Sequence, residues 1–166
     1  MKRIKWRLIP VLAATAIATA AVVLPDGDAI TLGVDPAQTL EANIPVPREV
    51  AQILARACRN CHSNQTVMPW YASLPPASWL VARDIAKARA AMNLSTWATG
   101  SGRNRAVAAA TLAAACADIR SGRMPLPAYR FMHPESRLSP ADRRVFCAWA
   151  NRLTGELLSR SGPSEP

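Results

Sequence analysis

Two cysteines and a histidine stand at a spacing that suits covalent attachment of a porphyrin, in the run Cys58-Arg59-Asn60-Cys61-His62. Residues three apart on a helical turn face the same way, so both thiols can reach the two vinyl groups on one edge of a haem. The imidazole that follows can then serve the iron as its proximal ligand. The C-x-x-C-H spacing therefore predicts haem c, attached through Cys58 and Cys61 and ligated by His62.

Two other kinds of site also use a C-x-x-C pair. A thioredoxin-like redox pair would need strands alternating with helices, and the sequence has no such pattern. A zinc site would need two more ligands at a matching spacing, whereas the remaining cysteines, Cys116 and Cys147, are isolated. In an oxidising compartment we expect these two to form a disulfide, with two buried thiols as the alternative.

An iron that transfers electrons generally has a second axial ligand, and two side chains after the motif are candidates. Met124 is the better placed, because Gly122 and Pro125 put it on a loop between two predicted helices. His133 is the alternative distal ligand. A thioether would raise the reduction potential relative to a second imidazole. We also expect arginine side chains to meet the haem propionates, because a buried carboxylate needs a partner.

The residues around these groups predict an all-α domain wrapped on the haem. Val50, Ile53 and Leu54 recur at helical spacing and predict a helix that begins near Pro47 and leads into the motif. A second helix is predicted over residues 77–92. Its candidate core residues are Trp79, Leu80 and Ile85.

Two further helices are predicted in the second half of the chain. One covers residues 103–120 and ends at Gly122. The other begins with Ser139 as N-cap, Pro140 in the first turn and Asp142 three residues after the cap, and it runs to about residue 158. Its predicted inward residues are Val145, Phe146, Trp149 and Leu153.

The first 24 residues have the features of an export signal. Four basic residues lie within the first seven positions, and an uncharged stretch of 17 residues follows, from 8 to 24. Ala18-Thr19-Ala20 offers a cleavage site, but 17 residues also reach the lower edge of the ~17–25 that span a bilayer. Either a cleaved signal peptide or an inner-membrane anchor would place the rest of the chain in the periplasm.

The remaining organisation follows from composition. Residues 25–47 are acidic and contain four prolines, which predicts a linker ahead of a haem-binding domain at residues 48–158 and a disordered tail at 159–166. The net charge is +9, but single arginines are spread along helical stretches and no nucleic-acid reader motif is present. We therefore expect no nucleic acid, and instead a redox partner with an acidic docking face or anionic lipid.

Several further segments follow the motif in a characteristic order. They are Ser63-Asn64-Gln65-Thr66, Pro69-Trp70-Tyr71, Ser78-Trp79-Leu80, Met92-Asn93-Leu94-Ser95, Trp97, Gly122-Arg123-Met124-Pro125, Tyr129, His133-Pro134 and Cys147-Ala148-Trp149. With these segments the chain resembles the small bacterial haem-binding domain family related to cytochrome c. The resemblance implies a cytochrome c-like fold, with His62 as proximal ligand, Met124 as distal ligand and one-electron transfer.

The function expected from the sequence is that of an exported monohaem c-type cytochrome that passes single electrons and is not an enzyme. A haem peroxidase subunit and a redox or gas sensor are the alternatives. Both would need an open or exchangeable sixth position on the iron, and the sequence offers no distal acid–base pair for peroxidase chemistry.

Overall fold

A computed structural model describes residues 32–160, and this part of the chain is helical with no strand. Its α-helices are α1 (Leu40–Asn43), α2 (Arg48–Ala57), α3 (Arg59–His62), α4 (Ala77–Ala91), α5 (Arg105–Arg120), α6 (Pro127–Met132) and α7 (Pro140–Ser159). Short 3-10 helices lie between them at Pro36–Gln38, Trp70–Ser73, Leu94–Thr96, Ser101–Arg103 and Pro134–Ser136. The predicted export segment, residues 1–24, and the tail from residue 161 lie outside the described residues.

The long helices begin and end where local capping chemistry predicts. The Ser139 hydroxyl accepts a hydrogen bond from the Asp142 amide at 3.1 Å, and the Asp142 carboxylate accepts one from the Ser139 amide at 2.8 Å. At the start of α5 the Asn104 side chain accepts from the Val107 amide at 2.8 Å. Gly122 follows α5 with a φ of +73°, a left-handed conformation that glycine adopts without strain.

The core lies between α5 and α7, which contact each other more extensively than any other pair of described helices. Leu112, Phe146 and Ala150 are fully buried there, and burial of a leucine or phenylalanine side chain contributes about 1.5–3 kcal/mol. A disulfide joins Cys116 to Cys147, with the two Cα atoms 5.1 Å apart. The disulfide predicted from the sequence is therefore present.

The segment predicted as a linker is partly folded onto the core. Residues 25–31 lie outside the described part of the chain, but α1 follows Thr39, whose side chain caps it, and carries Leu40 with 0% of its surface exposed. Ile44 is also buried. Nearby, the Trp149 indole N–H donates to the Pro45 carbonyl at 2.9 Å. The folded unit therefore begins before Arg48, the boundary predicted from the sequence.

Three residues predicted to lie in the core are exposed instead. Trp79 and Leu80 on α4 are 53% and 48% exposed, and Val145 on α7 is 40% exposed. Of the other predicted core residues on these helices, Ile85, Phe146, Trp149 and Leu153 are buried. The apolar residues of α4 are spread around the helix, so its composition did not single out the buried face. None of the described helices is both long and apolar enough to cross a membrane.

Candidate haem site

The C-x-x-C-H motif forms a tight helical turn at the end of α2. The Cys61 and His62 amides both donate to the Cys58 carbonyl, at 3.1 and 2.9 Å, and this turn forms α3. Cys58, Cys61 and His62 all line one cavity. The two cysteines, three residues apart on one turn, therefore face the same space.

His62 presents one ring nitrogen to the cavity because the other is held by the backbone. Its Nδ1 lies 3.0 Å from the Met92 carbonyl oxygen, and since a carbonyl only accepts, Nδ1 carries the proton. Burial lowers the pKa of His62 below its ordinary value, although backbone hydrogen bonding at Met92 and Ala88 opposes the shift. The imidazole is therefore neutral at physiological pH and keeps its Nε2 lone pair for a metal.

The two motif thiols are held in their protonated form. Burial, and next the neighbouring Cys61, raise the pKa of Cys58 to about 12. Burial, and next Asp84, raise the pKa of Cys61 above its ordinary value. Among the described residues, no group of three or more His, Cys, Asp or Glu side chains is arranged to hold a metal ion, so the C-x-x-C pair lacks the further ligands that a zinc site needs. The described chain also has no strand, whereas a thioredoxin-like pair would lie in a βαβ setting.

The loop after the motif is fixed by a network around Asn60 and Arg89. The Asn60 side chain accepts from the Val67 amide at 2.9 Å, and its carbonyl accepts from the Thr66 hydroxyl at 2.8 Å. Arg89 on α4 donates to the Ser63 carbonyl at 2.8 Å and to the Thr66 hydroxyl at 3.0 Å. This network anchors the turn that carries both cysteines to α4.

A second network connects the motif to the segment that holds His62. The Asn64 amide donates to the Ser95 hydroxyl at 3.0 Å, and the Asn93 side chain donates to the Asn64 side-chain oxygen at 2.8 Å. Because Asn93 directly follows Met92, these bonds fix the carbonyl that orients the imidazole. The polar segments that carried the family resemblance are therefore the residues that position His62.

The cavity has a volume of about 680 Å³, within the roughly 300–1,000 Å³ of cofactor sites. It lies between α4 and α5, and α3, α6 and the start of α7 complete its wall. Its lining is mostly apolar, as a porphyrin requires: Ala57, Ala88, Ala91, Met92, Ala110, Ala114, Ala115, Ile119, Pro125, Leu126, Leu138 and Phe146. The donor set and the apolar wall fit a haem group.

Met124 lies on the wall of the same cavity as the motif. Gly122 ends α5 with its positive φ, and the Met124 amide then donates back to the Asp118 carbonyl at 3.1 Å. This turn returns the chain toward the cavity. The structure therefore brings Cys58, Cys61, His62 and Met124 together.

His133 does not line the cavity. Its Nδ1 lies 3.0 Å from a Glu135 carboxylate oxygen, and its Nε2 lies 2.9 Å from the Tyr71 hydroxyl, so both ring nitrogens are already engaged. The ring stacks on Tyr129 with centroids 4.3 Å apart, and Tyr129 itself is part of the cavity wall. His133 is thus placed behind the wall rather than facing the space beside His62.

Some wall residues were not identified from the sequence. The small residues Ala88 and Ala91 on α4, and Ala110 and Ala114 on α5, create the space between the two helices. Their helical spacing was visible in the sequence, but alanine is common on any helix face, so spacing alone did not mark them as a cofactor wall.

Comparison with known proteins identifies the family. A family model described as a haem-binding domain matches residues 16–152, which is most of the chain. Comparison with curated proteins and with solved structures gives no match. The chain therefore belongs to the haem-binding domain family, and it binds haem.

Proposed function

We propose that the protein is a monohaem c-type cytochrome that carries single electrons. The observation that carries this proposal is that four side chains, Cys58, Cys61, His62 and Met124, line one apolar cavity large enough for a cofactor. The same set is the one expected from the C-x-x-C-H motif and the Met-Pro loop. The relation of the family to cytochrome c is part of this proposal.

Each residue has a defined task in that function. The Cys58 and Cys61 thiols would hold the cofactor through two thioether bonds, each formed by adding S–H across a vinyl group. His62 would offer Nε2 to the iron while the Met92 carbonyl holds Nδ1. Met124 would offer a soft thioether, which favours the reduced state. When bound, haem supplies a metal that exchanges one electron.

The proposed setting is the periplasm, with residues 1–24 acting as a signal peptide or as an inner-membrane anchor. The chain carries a formal net charge of +9, and charge complementarity then favours a redox partner with an acidic docking face. Nothing in this proposal requires a substrate pocket in addition to the haem cavity.

Covalent attachment is tested by expressing the full chain in a host competent for cytochrome c maturation. We expect haem to stay with the protein after denaturation, and the mass to rise by one haem. The variants Cys58→Ser and Cys61→Ser should each lose one bond, and the double variant should release its haem on denaturation. Ser121→Ala, outside the cavity, is the matched control. Wild-type haem that is released by denaturant would overturn covalent attachment, and colourless protein would overturn the whole proposal.

A further inference from the structure

The charged residues of the cavity wall are confined to the two helices that flank it. Asp84 and Lys87 lie on α4 and Asp118 lies on α5, whereas Leu138 and Phe146 on the inner side are apolar. Helix α4 contacts mainly α3 and α5 contacts mainly α7, so the polar gap lies between α4 and α5. A haem has an apolar edge and an edge with two propionate carboxylates. The polar gap is where the carboxylate edge is best accommodated.

The two acidic groups at this gap already have cationic partners. The Asp84 carboxylate lies 3.0 Å from Nη2 of Arg83, and the Asp118 carboxylate accepts from Nε of Arg123 at 2.8 Å. Lys87 is the single cationic side chain among the described residues that line the cavity, and none of the described carboxylates lies within ion-pairing distance of it. The wall therefore offers one uncompensated positive charge to an anion inside the cavity.

Lys87 lies on α4 at the same gap, three residues after Asp84 and four before Ala91, which also line the cavity. In a haem the two propionates share one edge of the ring, opposite the vinyl groups. A carboxylate edge directed to the polar gap would therefore meet Lys87.

We propose that Lys87 forms an ion pair with a haem propionate at the gap between α4 and α5. The inference rests on the proposed haem site and adds a residue to it. The sequence predicts arginine as the partner of the propionates, whereas the cavity wall carries lysine. The lysine ammonium is a compact charge on a flexible side chain. Unlike an arginine guanidinium, it can pair with a carboxylate without a fixed bidentate geometry.

The ion pair has a consequence for the reduction potential and its pH dependence. A cation near the iron disfavours the ferric state, which carries one more positive charge, and it keeps the propionate ionised at lower pH. Lys87→Gln should therefore lower the midpoint potential at neutral pH. It should also shift the redox-linked titration of the propionate to higher pH. The other titratable side chains that line the cavity are Asp84, Asp118, Tyr129, Cys58, Cys61 and His62, and they are unchanged in this variant.

The test is a potentiometric titration of the haem-loaded full chain across pH. Lys87→Gln is compared with Lys87→Arg, which keeps the charge, and with Arg144→Gln, which removes one charge from a surface that does not line the cavity. We expect Lys87→Gln to shift both the potential and its pH profile, Lys87→Arg to restore them, and Arg144→Gln to match wild type. Haem-loaded Lys87→Gln with a wild-type pH profile would overturn the Lys87 assignment alone, whereas wild-type protein without haem would overturn the haem site as well.

Discussion

Met124 and His133 differ in what their side chains contact, and the difference predicts separate outcomes for the two substitutions. Met124 lines the cavity, whereas His133 is engaged by Tyr71 and Glu135. In haem-loaded protein, Met124→Ala should lower the midpoint potential, because the reduced iron loses its soft ligand. It should also abolish the methionine-to-iron charge-transfer band in the oxidised spectrum.

The control for this prediction is His133→Ala, which should leave that band in place. If Met124→Ala left the spectrum unchanged and His133→Ala altered it, His133 would be the distal ligand. If wild-type iron were high-spin, the sixth position would be open, as a peroxidase subunit or a gas sensor requires. Spectra of the oxidised and reduced proteins distinguish these three cases.

For individual site residues, the sequence predicts position correctly where the chemistry depends on spacing within a few residues. Cys58, Cys61 and His62 lie on one turn, so a five-residue motif contains their geometry. The choice between Met124 and His133 is different, because it depends on which side of the Tyr129 ring each residue lies. That is a tertiary relation over distant parts of the chain, and residue type alone cannot resolve it.

Helix α7 begins at a capping box whose loss should be measurable. Ser139→Ala removes the hydroxyl that accepts from the Asp142 amide. Since N-cap serine contributes about 1 kcal/mol, we expect the free energy of unfolding to fall by that amount. Chemical denaturation checks this prediction, with Ser159→Ala at the other end of α7 as the control. Equal losses in both variants would argue against a specific role of the cap.

The carboxylate of this capping box, Asp142, makes the free energy of unfolding depend on pH. Burial tends to raise the pKa of Asp142, but hydrogen bonds from Ser139 and then the Arg56 guanidinium lower it overall. A carboxylate whose pKa is lower in the folded state stabilises that state above its unfolded pKa of about 3.9, and this contribution is lost as the pH falls through the folded value. Unfolding free energies measured from neutral to acidic pH should show the loss, and Asp142→Asn should reduce it. An identical pH profile in Asp142→Asn would contradict the assignment.

The 3-10 helix Ser101–Arg103 requires glycine at its centre. A Cβ atom at Gly102 would lie 2.5 Å from Cδ1 of the buried Trp97 ring and 2.9 Å from the Trp97 carbonyl oxygen. Gly102→Ala should therefore destabilise the protein by about 1–3 kcal/mol. Gly155→Ala is the matched control, because that Cβ has no neighbour within 4 Å and alanine in a helix should instead stabilise by about 0.5–1 kcal/mol. Thermal unfolding of both variants tests the contrast, and two shifts of the same sign would contradict it.

The helices predicted from the sequence were those with strong local signals. Ser139, Pro140 and Asp142 marked the start of α7, and Gly122 marked the end of α5. Helix α1 had no comparable signal, because it is four residues long and places only Leu40 in the core. A single leucine within an acidic, proline-containing segment is as compatible with a linker as with a packed turn, so the domain boundary was predicted too late.

On the scale of the whole molecule, the cavity exists because α4 and α5 are separated from each other. Its wall draws on residues from Ala57 to Phe146, nearly the full length of the predicted domain. The individual helices follow from local composition, but the space between α4 and α5 arises because each packs against a different neighbour. A fold class can be inferred from the sequence of elements, whereas the volume and polarity of this cavity require their arrangement.

The disulfide between Cys116 and Cys147 links the two helices that form the core, and it should stabilise the whole domain. The two cysteines are 31 positions apart in the sequence, and closing a loop of this length restricts the unfolded state by about 3–4 kcal/mol in the chain-entropy model. Replacing both cysteines by alanine should lower the unfolding free energy of the haem-loaded protein by a similar amount. Neither cysteine lines the haem cavity, so the visible spectrum should stay as in wild type. An unchanged unfolding free energy would show that the link is not formed in solution, and an altered spectrum would show that the core and the cavity are coupled.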